Sequence, residues 1–246
     1  MDPERVATPK KPCEEQDTVA GCAVWAAAPR SLVAPSCQDA DVDGAVLIGG
    51  VLVAGLVIFL AGAVAWRLDY QRPLHKALPV IHRDRGRRAW IHTWMIVALV
   101  VTPAGLVGLT LALGEPTAMV LAGMATAVYG AGGICWIVSL AFRLTVVPWA
   151  AEQATAGQVP EGFAAYDQWA GALYVVHMLT AYVGSAVLGM AVLASDALPA
   201  WLGWAGISWG LAFAGGFLAT RFAGPFNPPF WAHLYTGAVG LVLLLG

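Results

Sequence analysis

Histidine is the side chain in this sequence best suited to chemistry, because imidazole ligates haem iron and metal ions. Three of the five histidines, His92, His177 and His233, fall inside apolar segments. Counted from the ends of their segments, His92 and His233 lie about two and three residues deep. We therefore expect both at one shallow depth, where they could ligate haem b from its two faces. His177 lies about ten residues deep, near the midplane and without a histidine at its level, and joins the ligands only if haem is bound. The alternative for all three is ordinary hydrogen bonding between helices.

A second candidate site uses polar residues at one end of the apolar segments. Four residues share this predicted level: His92, Arg143, Arg221 and His233. The Pro-rich connection before His233 adds Phe226 and Trp231 as apolar surface. Such a cluster would suit the polar or anionic head of a lipid-like molecule or a quinone. The plainer alternative is that both arginines only anchor helix ends, with acids such as Asp167 as partners.

Catalytic and transport signatures are weak. No Asp, Glu, Lys or Arg lies deep in an apolar segment, which disfavours proton relays and ion-coupled pumps. Zinc-protease and serine-hydrolase motifs do not occur. We therefore expect a non-catalytic membrane protein, either an accessory subunit or a binder of an amphipathic molecule. The alternatives are a redox subunit that binds haem b or a quinone, and a small-solute transporter, for which a Gly-rich third segment and Pro103 give slight support.

Composition fixes the fold class. Hydrophobic residues make up 59% of the 246 and charged residues 11%, whereas soluble domains carry about 25% charged residues. Long apolar segments must be helical in lipid, because only a helix or a closed barrel satisfies every backbone polar group there. The sequence therefore predicts an all-α polytopic membrane protein with six transmembrane helices. The expected spans are 44–66, 90–113, 117–142, 168–194, 198–220 and 230–246.

Charge placement predicts the sidedness of the chain. Seven of the 13 Lys and Arg residues lie between residues 67 and 89, and short loops rich in these residues stay cytoplasmic. The connections at 114–116 and 195–197 are short and acidic. We expect a bacterial plasma-membrane protein with loop 67–89 in the cytoplasm and both termini outside. Its expected partners are membrane lipids and other membrane subunits, and not nucleic acid, since topology already explains the basic loop.

The first 43 residues form a polar, acidic tail that we expect to be disordered and extracytoplasmic, followed by one transmembrane domain over 44–246. Cys13, Cys22 and Cys37 lie in this tail without Cys-x-x-Cys spacing, so whether two of them form a disulfide stays open. In the fifth segment, Gly206 and Gly210 form a Gly-x-x-x-Gly pair, which predicts close contact with a neighbouring helix.

Three short stretches carry a resemblance to known proteins. They are AFRLTVVP at 141–148, LPAWLGWAGI at 198–207 and PFWAHLYTG at 229–237. They resemble a loose group of uncharacterised six-helix bacterial membrane proteins that is common in actinobacteria. The resemblance implies a six-helix domain over 44–246 and departs from the group at the Cys-containing tail. It implies no catalytic residues.

Overall fold

The structure is a computed structural model that describes residues 37–71 and 73–246. Within these ranges the chain is helical with short connections and contains no strand, so the predicted all-α class is confirmed. The tail prediction for residues 1–36, including Cys13 and Cys22, lies outside the described residues. Residues 37–43, which we assigned to the tail, belong to the first helix.

The described ranges contain seven α-helices and two short 3-10 helices. The α-helices are α1 (Cys37–Ala63), α2 (Leu74–Arg83), α3 (Arg85–Ala112), α4 (Pro116–Thr155), α5 (Phe163–Leu193), α6 (Ala200–Ala219) and α7 (Phe230–Leu245). The 3-10 helices are Leu68–Gln71 and Gly224–Phe226. Five of these helices are long and apolar enough to cross a membrane, and α7 is an apolar helix of 16 residues. The protein is therefore a multi-pass membrane protein.

Helix boundaries differ from the predicted spans mainly where charged residues begin. The expected loop 67–89 contains α2 and the first turn of α3, which starts at Arg85. At its far end α4 continues from the expected limit at 142 to Thr155. Hydropathy marks where contact with lipid ends, whereas a helix continues wherever its backbone bonds are satisfied within the segment. At 40 residues, α4 is about 60 Å long, twice a ~30 Å hydrocarbon layer.

Five of the helices form a closed ring. Each of these pairs is in contact: α1 with α3, α3 with α4, α4 with α5, α5 with α7, and α7 with α1. The amphipathic α2 packs its buried Ala77, Leu78 and Ile81 at the end of this ring, mainly against α4. The remaining helix, α6, packs mainly on α5. Side chains that point into the ring therefore come from α1, α3, α4, α5 and α7.

Glycines bring α6 close to its neighbours, as the Gly-x-x-x-Gly pair predicts. Gly206 and Gly210 are both buried. A Cβ at Gly206 would lie 2.2 Å from the Tyr235 hydroxyl, and one at Gly210 would lie 2.4 Å from the Tyr182 carbonyl oxygen. Only a residue without a Cβ fits at such separations.

We expect Gly206→Leu to destabilise the protein, because the new side chain would overlap Tyr235 and the α5 backbone. Overpacking of this kind costs about 1–3 kcal/mol or more. The measurement is the thermal unfolding midpoint in detergent. Gly215→Leu on the same helix is the matched control, since a Cβ there meets nothing within 4 Å. Equal midpoints for the two variants would contradict the role assigned to Gly206.

Candidate functional site

One face of α3 is a row of buried residues that includes an arginine. The row consists of Arg88, His92, Met95, Leu99 and Thr102. Their spacing of four, three, four and three residues places them on one face of the helix. Arg88 is only 4% exposed, although arginine is rarely buried without a partner. The face that packs the apolar core therefore also buries a guanidinium.

Arg88 lies over an aromatic ring and has no hydrogen bond to any described residue. Its Cζ lies 4.9 Å from the centre of the Tyr70 ring, a cation–π contact. Its Nε contacts neither solvent nor a hydrogen-bond acceptor. The nearby carboxylate of Asp84 is already engaged, because it accepts from the Tyr70 hydroxyl and from Arg67 Nη1, each at 2.9 Å. Burial, and then the bond to Asp84, raises the pKa of the Tyr70 phenol, so Tyr70 remains neutral.

A second arginine increases the positive charge at this point. Arg143 on α4 lies close enough to Arg88 and His92 to repel their positive forms. Its own ion pair is long, with 3.6 Å between Arg143 Nη1 and Asp167 Oδ1 on α5. Both partners of that pair are more than a quarter exposed, so solvent weakens it. We call Tyr70, Arg88, His92, Arg143 and Asp167 the arginine cluster. The end of the bundle that holds this cluster is called the basic face.

The structure brings together only two of the four polar residues expected at one end of the helices. His92 and Arg143 belong to the arginine cluster. Arg221 is exposed, with a φ of 52°, and forms no ion pair within the described part of the chain. His233 lies elsewhere, near Thr102, about 15 Å along α3 from His92 at 1.5 Å per residue. The expected shared depth of His92 and His233 is therefore wrong, and buried Met95 and Leu99 lie between the two levels.

Phe226 and Trp231 pack against other aromatic rings of the α6–α7 region. Trp231 Nε1 donates to the Pro225 carbonyl at 2.9 Å, and the Trp231 carbonyl accepts from Trp209 Nε1 at 3.0 Å. The Phe226 ring packs on Phe213 with centroids 5.4 Å apart. These contacts fix the Pro-rich connection in place. The structure gives neither residue a contact with the arginine cluster.

His177 and His233 meet around Tyr129 inside the helix ring. Tyr129 presents its ring edge-on to both, with centroid separations of 6.1 Å to His177 and 6.3 Å to His233. His177 stacks on Trp136 at 4.6 Å, and His233 stacks on Phe59 at 4.4 Å. Both histidines are fully buried. The expectation that His177 has no histidine near its level is therefore also wrong. We call these five residues and Thr102 the histidine cluster.

Hydrogen bonding in the histidine cluster is incomplete. His233 Nδ1 lies 3.4 Å from both the Thr102 and the Tyr129 hydroxyl oxygens. His233 Nε2 has no hydrogen-bond partner in the described residues, and the His177 ring lies beside the Gly132 backbone without completing a well-formed hydrogen bond to it. An unpaired buried polar atom costs about 1–3 kcal/mol. The histidine cluster therefore keeps incompletely paired nitrogens in an apolar interior at a cost in stability.

Arg88, Tyr129 and Thr102 belong to the two clusters although no sequence motif marks them. The sequence places Arg88 in the basic loop, because the charges there end the apolar run. Its spacing from His92 continues the apolar periodicity of α3 by one turn, and this signal could have identified it. Tyr129 and Thr102 carry no motif, so only the three-dimensional structure identifies them.

Comparison of the chain with protein-family models, with curated proteins and with solved structures finds no match. The resemblance to six-helix actinobacterial membrane proteins therefore stays a prediction. No activity, ligand or partner comes to this chain from a relative. A functional assignment has to come from the two clusters themselves.

Proposed function

We propose that the protein binds the anionic head of an amphipathic, lipid-like molecule at its basic face. The observation that carries the proposal is Arg88, which is only 4% exposed and whose Nε is buried with no hydrogen-bond partner in the described residues. A guanidinium held this deeply, with only the Tyr70 ring and the more distant Asp167 among the described residues to stabilise its charge, is costly, and a bound anion would reduce that cost.

The charges of the arginine cluster favour a head with one negative charge. Arg88 and Arg143 contribute two positive charges, and Asp167 contributes one negative charge. One further negative charge would balance the cluster. Phosphodiester and carboxylate groups both fit, because guanidinium binds either of them through two parallel hydrogen bonds. His92 Nδ1, which is also buried without a partner, offers a further contact to the head.

An apolar surface next to Tyr70 suits the rest of such a molecule. Trp66 packs on the edge of the Tyr70 ring with centroids 5.7 Å apart and is 39% exposed. Tryptophan at this level is typical of the boundary between lipid and water. A ligand with its head at Arg88 can therefore keep its chains in the surrounding bilayer. Recognition of this kind needs no acid–base pair, which agrees with a non-catalytic role.

The structure offers less support for the redox and transport alternatives. A quinone is neutral and leaves the charge of Arg88 unbalanced. Haem b held by His92 and His233 would need two histidines that lie about 15 Å apart along the bundle. For a small-solute transporter, we find no specific contact in the described residues that favours it.

Native mass spectrometry of the purified protein with defined lipids tests the proposal. We expect retention of phosphatidylglycerol over phosphatidylcholine by about tenfold or more, the effect of one or two charge-assisted hydrogen bonds. Arg88→Met should abolish this preference. The control is Arg87→Met, which removes the same charge from an exposed position one residue away. An equal loss in both variants would mean that general surface charge, and not a site at Arg88, attracts the lipid.

A further inference from the structure

Asp84 is the residue between α2 and α3, and it lies four residues before Arg88. The Arg88 backbone N–H donates to the Asp84 carbonyl at 3.0 Å, which closes the first turn of α3. Side chains four residues apart on a helix are neighbours, and an acid placed before a base at this spacing pairs favourably with it. Asp84 is therefore the natural internal partner for the Arg88 guanidinium.

The Asp84 and Arg88 side chains do not form that pair. One carboxylate oxygen, Asp84 Oδ2, accepts from Arg67 Nη1 and from the Tyr70 hydroxyl, each at 2.9 Å. No ion pair of the described residues includes Arg88. The Tyr70 ring centre lies 4.9 Å from Arg88 Cζ, so a single tyrosine contacts both the acid and the base. The acid nearest to Arg88 along the chain is thus close to the site but bound elsewhere.

We propose that Arg67 and Tyr70 are positioning residues that hold Asp84 away from Arg88 and so keep the Arg88 guanidinium available to an anionic head. The inference rests on the proposed function, because it matters only if Arg88 binds an anion. Without the two donors, the Asp84 carboxylate would turn to Arg88, whose buried Nε has no hydrogen-bond partner in the described residues. The internal carboxylate would then take up the charge-assisted bonds that a phosphodiester or carboxylate head needs.

The two donors can hold the carboxylate without closing the site themselves. Arg67 is exposed, so solvent meets the rest of its charge. Burial, and then the bond to Asp84, raises the pKa of the Tyr70 phenol, so its hydroxyl keeps the proton that it donates. The Tyr70 ring stabilises the Arg88 charge through its face, whereas a carboxylate would take up the N–H donors. Together they favour an Arg88 that is charged and still able to donate.

Native mass spectrometry of the full-length protein with phosphatidylglycerol and phosphatidylcholine tests the inference. The double variant Arg67→Gln with Tyr70→Phe removes both donors and keeps an aromatic ring next to Arg88. We expect its preference for phosphatidylglycerol to fall by about tenfold, the effect of one or two charge-assisted hydrogen bonds. Adding Asp84→Asn should restore the preference, because the amide carries no charge that competes for Arg88. A merely structural role for these contacts would not predict this rescue.

Two matched variants control for general surface charge. Arg83→Gln with Tyr70→Phe removes an exposed arginine of the same connection but leaves the bond from Arg67 to Asp84, and should keep the preference. Glu161→Gln in the double variant removes an exposed negative charge at the same end of the bundle and should restore nothing. Thermal midpoints in detergent establish which variants are folded.

The outcomes separate this inference from the proposed function. A wild type without any preference would overturn head-group binding itself, and the inference with it. A wild-type preference that persists in the folded double variant would overturn only the restraint of Asp84. So would a loss that Asp84→Asn does not reverse, since Arg67 or Tyr70 would then contact the head directly. If the double variant does not fold, Arg67→Gln is compared with Arg67→Gln plus Asp84→Asn, and the same loss and reversal decide.

Discussion

Arg88→Met is expected to raise the thermal midpoint of the delipidated protein. In the wild type, folding almost completely buries Arg88 and leaves its Nε without a hydrogen-bond partner in the described residues, and methionine removes that cost while filling much of the same volume. Replacing buried charged groups by apolar side chains of similar size is often stabilising by about 1–4 kcal/mol. The measurement is thermal unfolding in a neutral detergent after the lipid has been removed.

Added anionic lipid should reverse the order of the thermal midpoints of the wild type and Arg88→Met. It should raise the midpoint of the wild type, because a ligand that binds only the folded state stabilises it, and leave Arg88→Met unchanged. Arg87→Met, at an exposed position, should remain within about 0.5 kcal/mol of the wild type in both conditions. A lower midpoint for delipidated Arg88→Met would mean that the contact with Tyr70 already offsets the burial of the charge, and the need for an anion would disappear.

Cysteines at Gly86 and Asp196 are expected to react from opposite sides of the membrane. Both positions are exposed, and a side chain at Gly86 meets nothing within 4 Å. Three apolar helices, α3, α4 and α5, separate them along the chain. The basic residues around Gly86 predict that this side is cytoplasmic. In a cysteine-free background, an impermeant maleimide should therefore label Asp196→Cys in intact cells and Gly86→Cys only after permeabilisation.

The two variants control for each other. Labelling of Gly86→Cys but not Asp196→Cys in intact cells would invert the orientation and move the arginine cluster to the outer leaflet. Labelling of both in intact cells would mean that an even number of crossings separates them, which would contradict the assignment of α3, α4 and α5 as three spans.

Hydropathy alone identified the apolar helices, because contact with lipid requires the residues along a whole span to be apolar. The last helix begins at Phe230, where the sequence placed it. Depth within the bundle was harder to predict. Counting residues from a helix end gives depth only if the helix begins at the membrane face. That assumption fails for α7, and His233 consequently lies beside Thr102 and not at the level of His92.

The contacts of the Pro-rich connection explain this failure. The Tyr174 hydroxyl donates to the Asn227 carbonyl, and the Tyr182 hydroxyl donates to the Phe226 carbonyl at 2.7 Å. Both tyrosines lie well along α5, about 10 and 22 Å beyond the level of Asp167 at the basic face. The connection is therefore held inside the bundle, and α7 starts there. Neither tyrosine belongs to a motif that a sequence could reveal.

This arrangement also has a consequence for how the chain is assembled in the membrane. Non-helical backbone cannot face lipid, so the carbonyls of Pro225, Phe226 and Asn227 need donors from the protein. Two of those donors are on α5, and the third is the indole of Trp231. The hairpin of α6 and α7 can therefore take its final position only after α5 is in place. Synthesis from the amino terminus delivers the helices in that order, so the tyrosine donors of α5 are made before the connection that needs them.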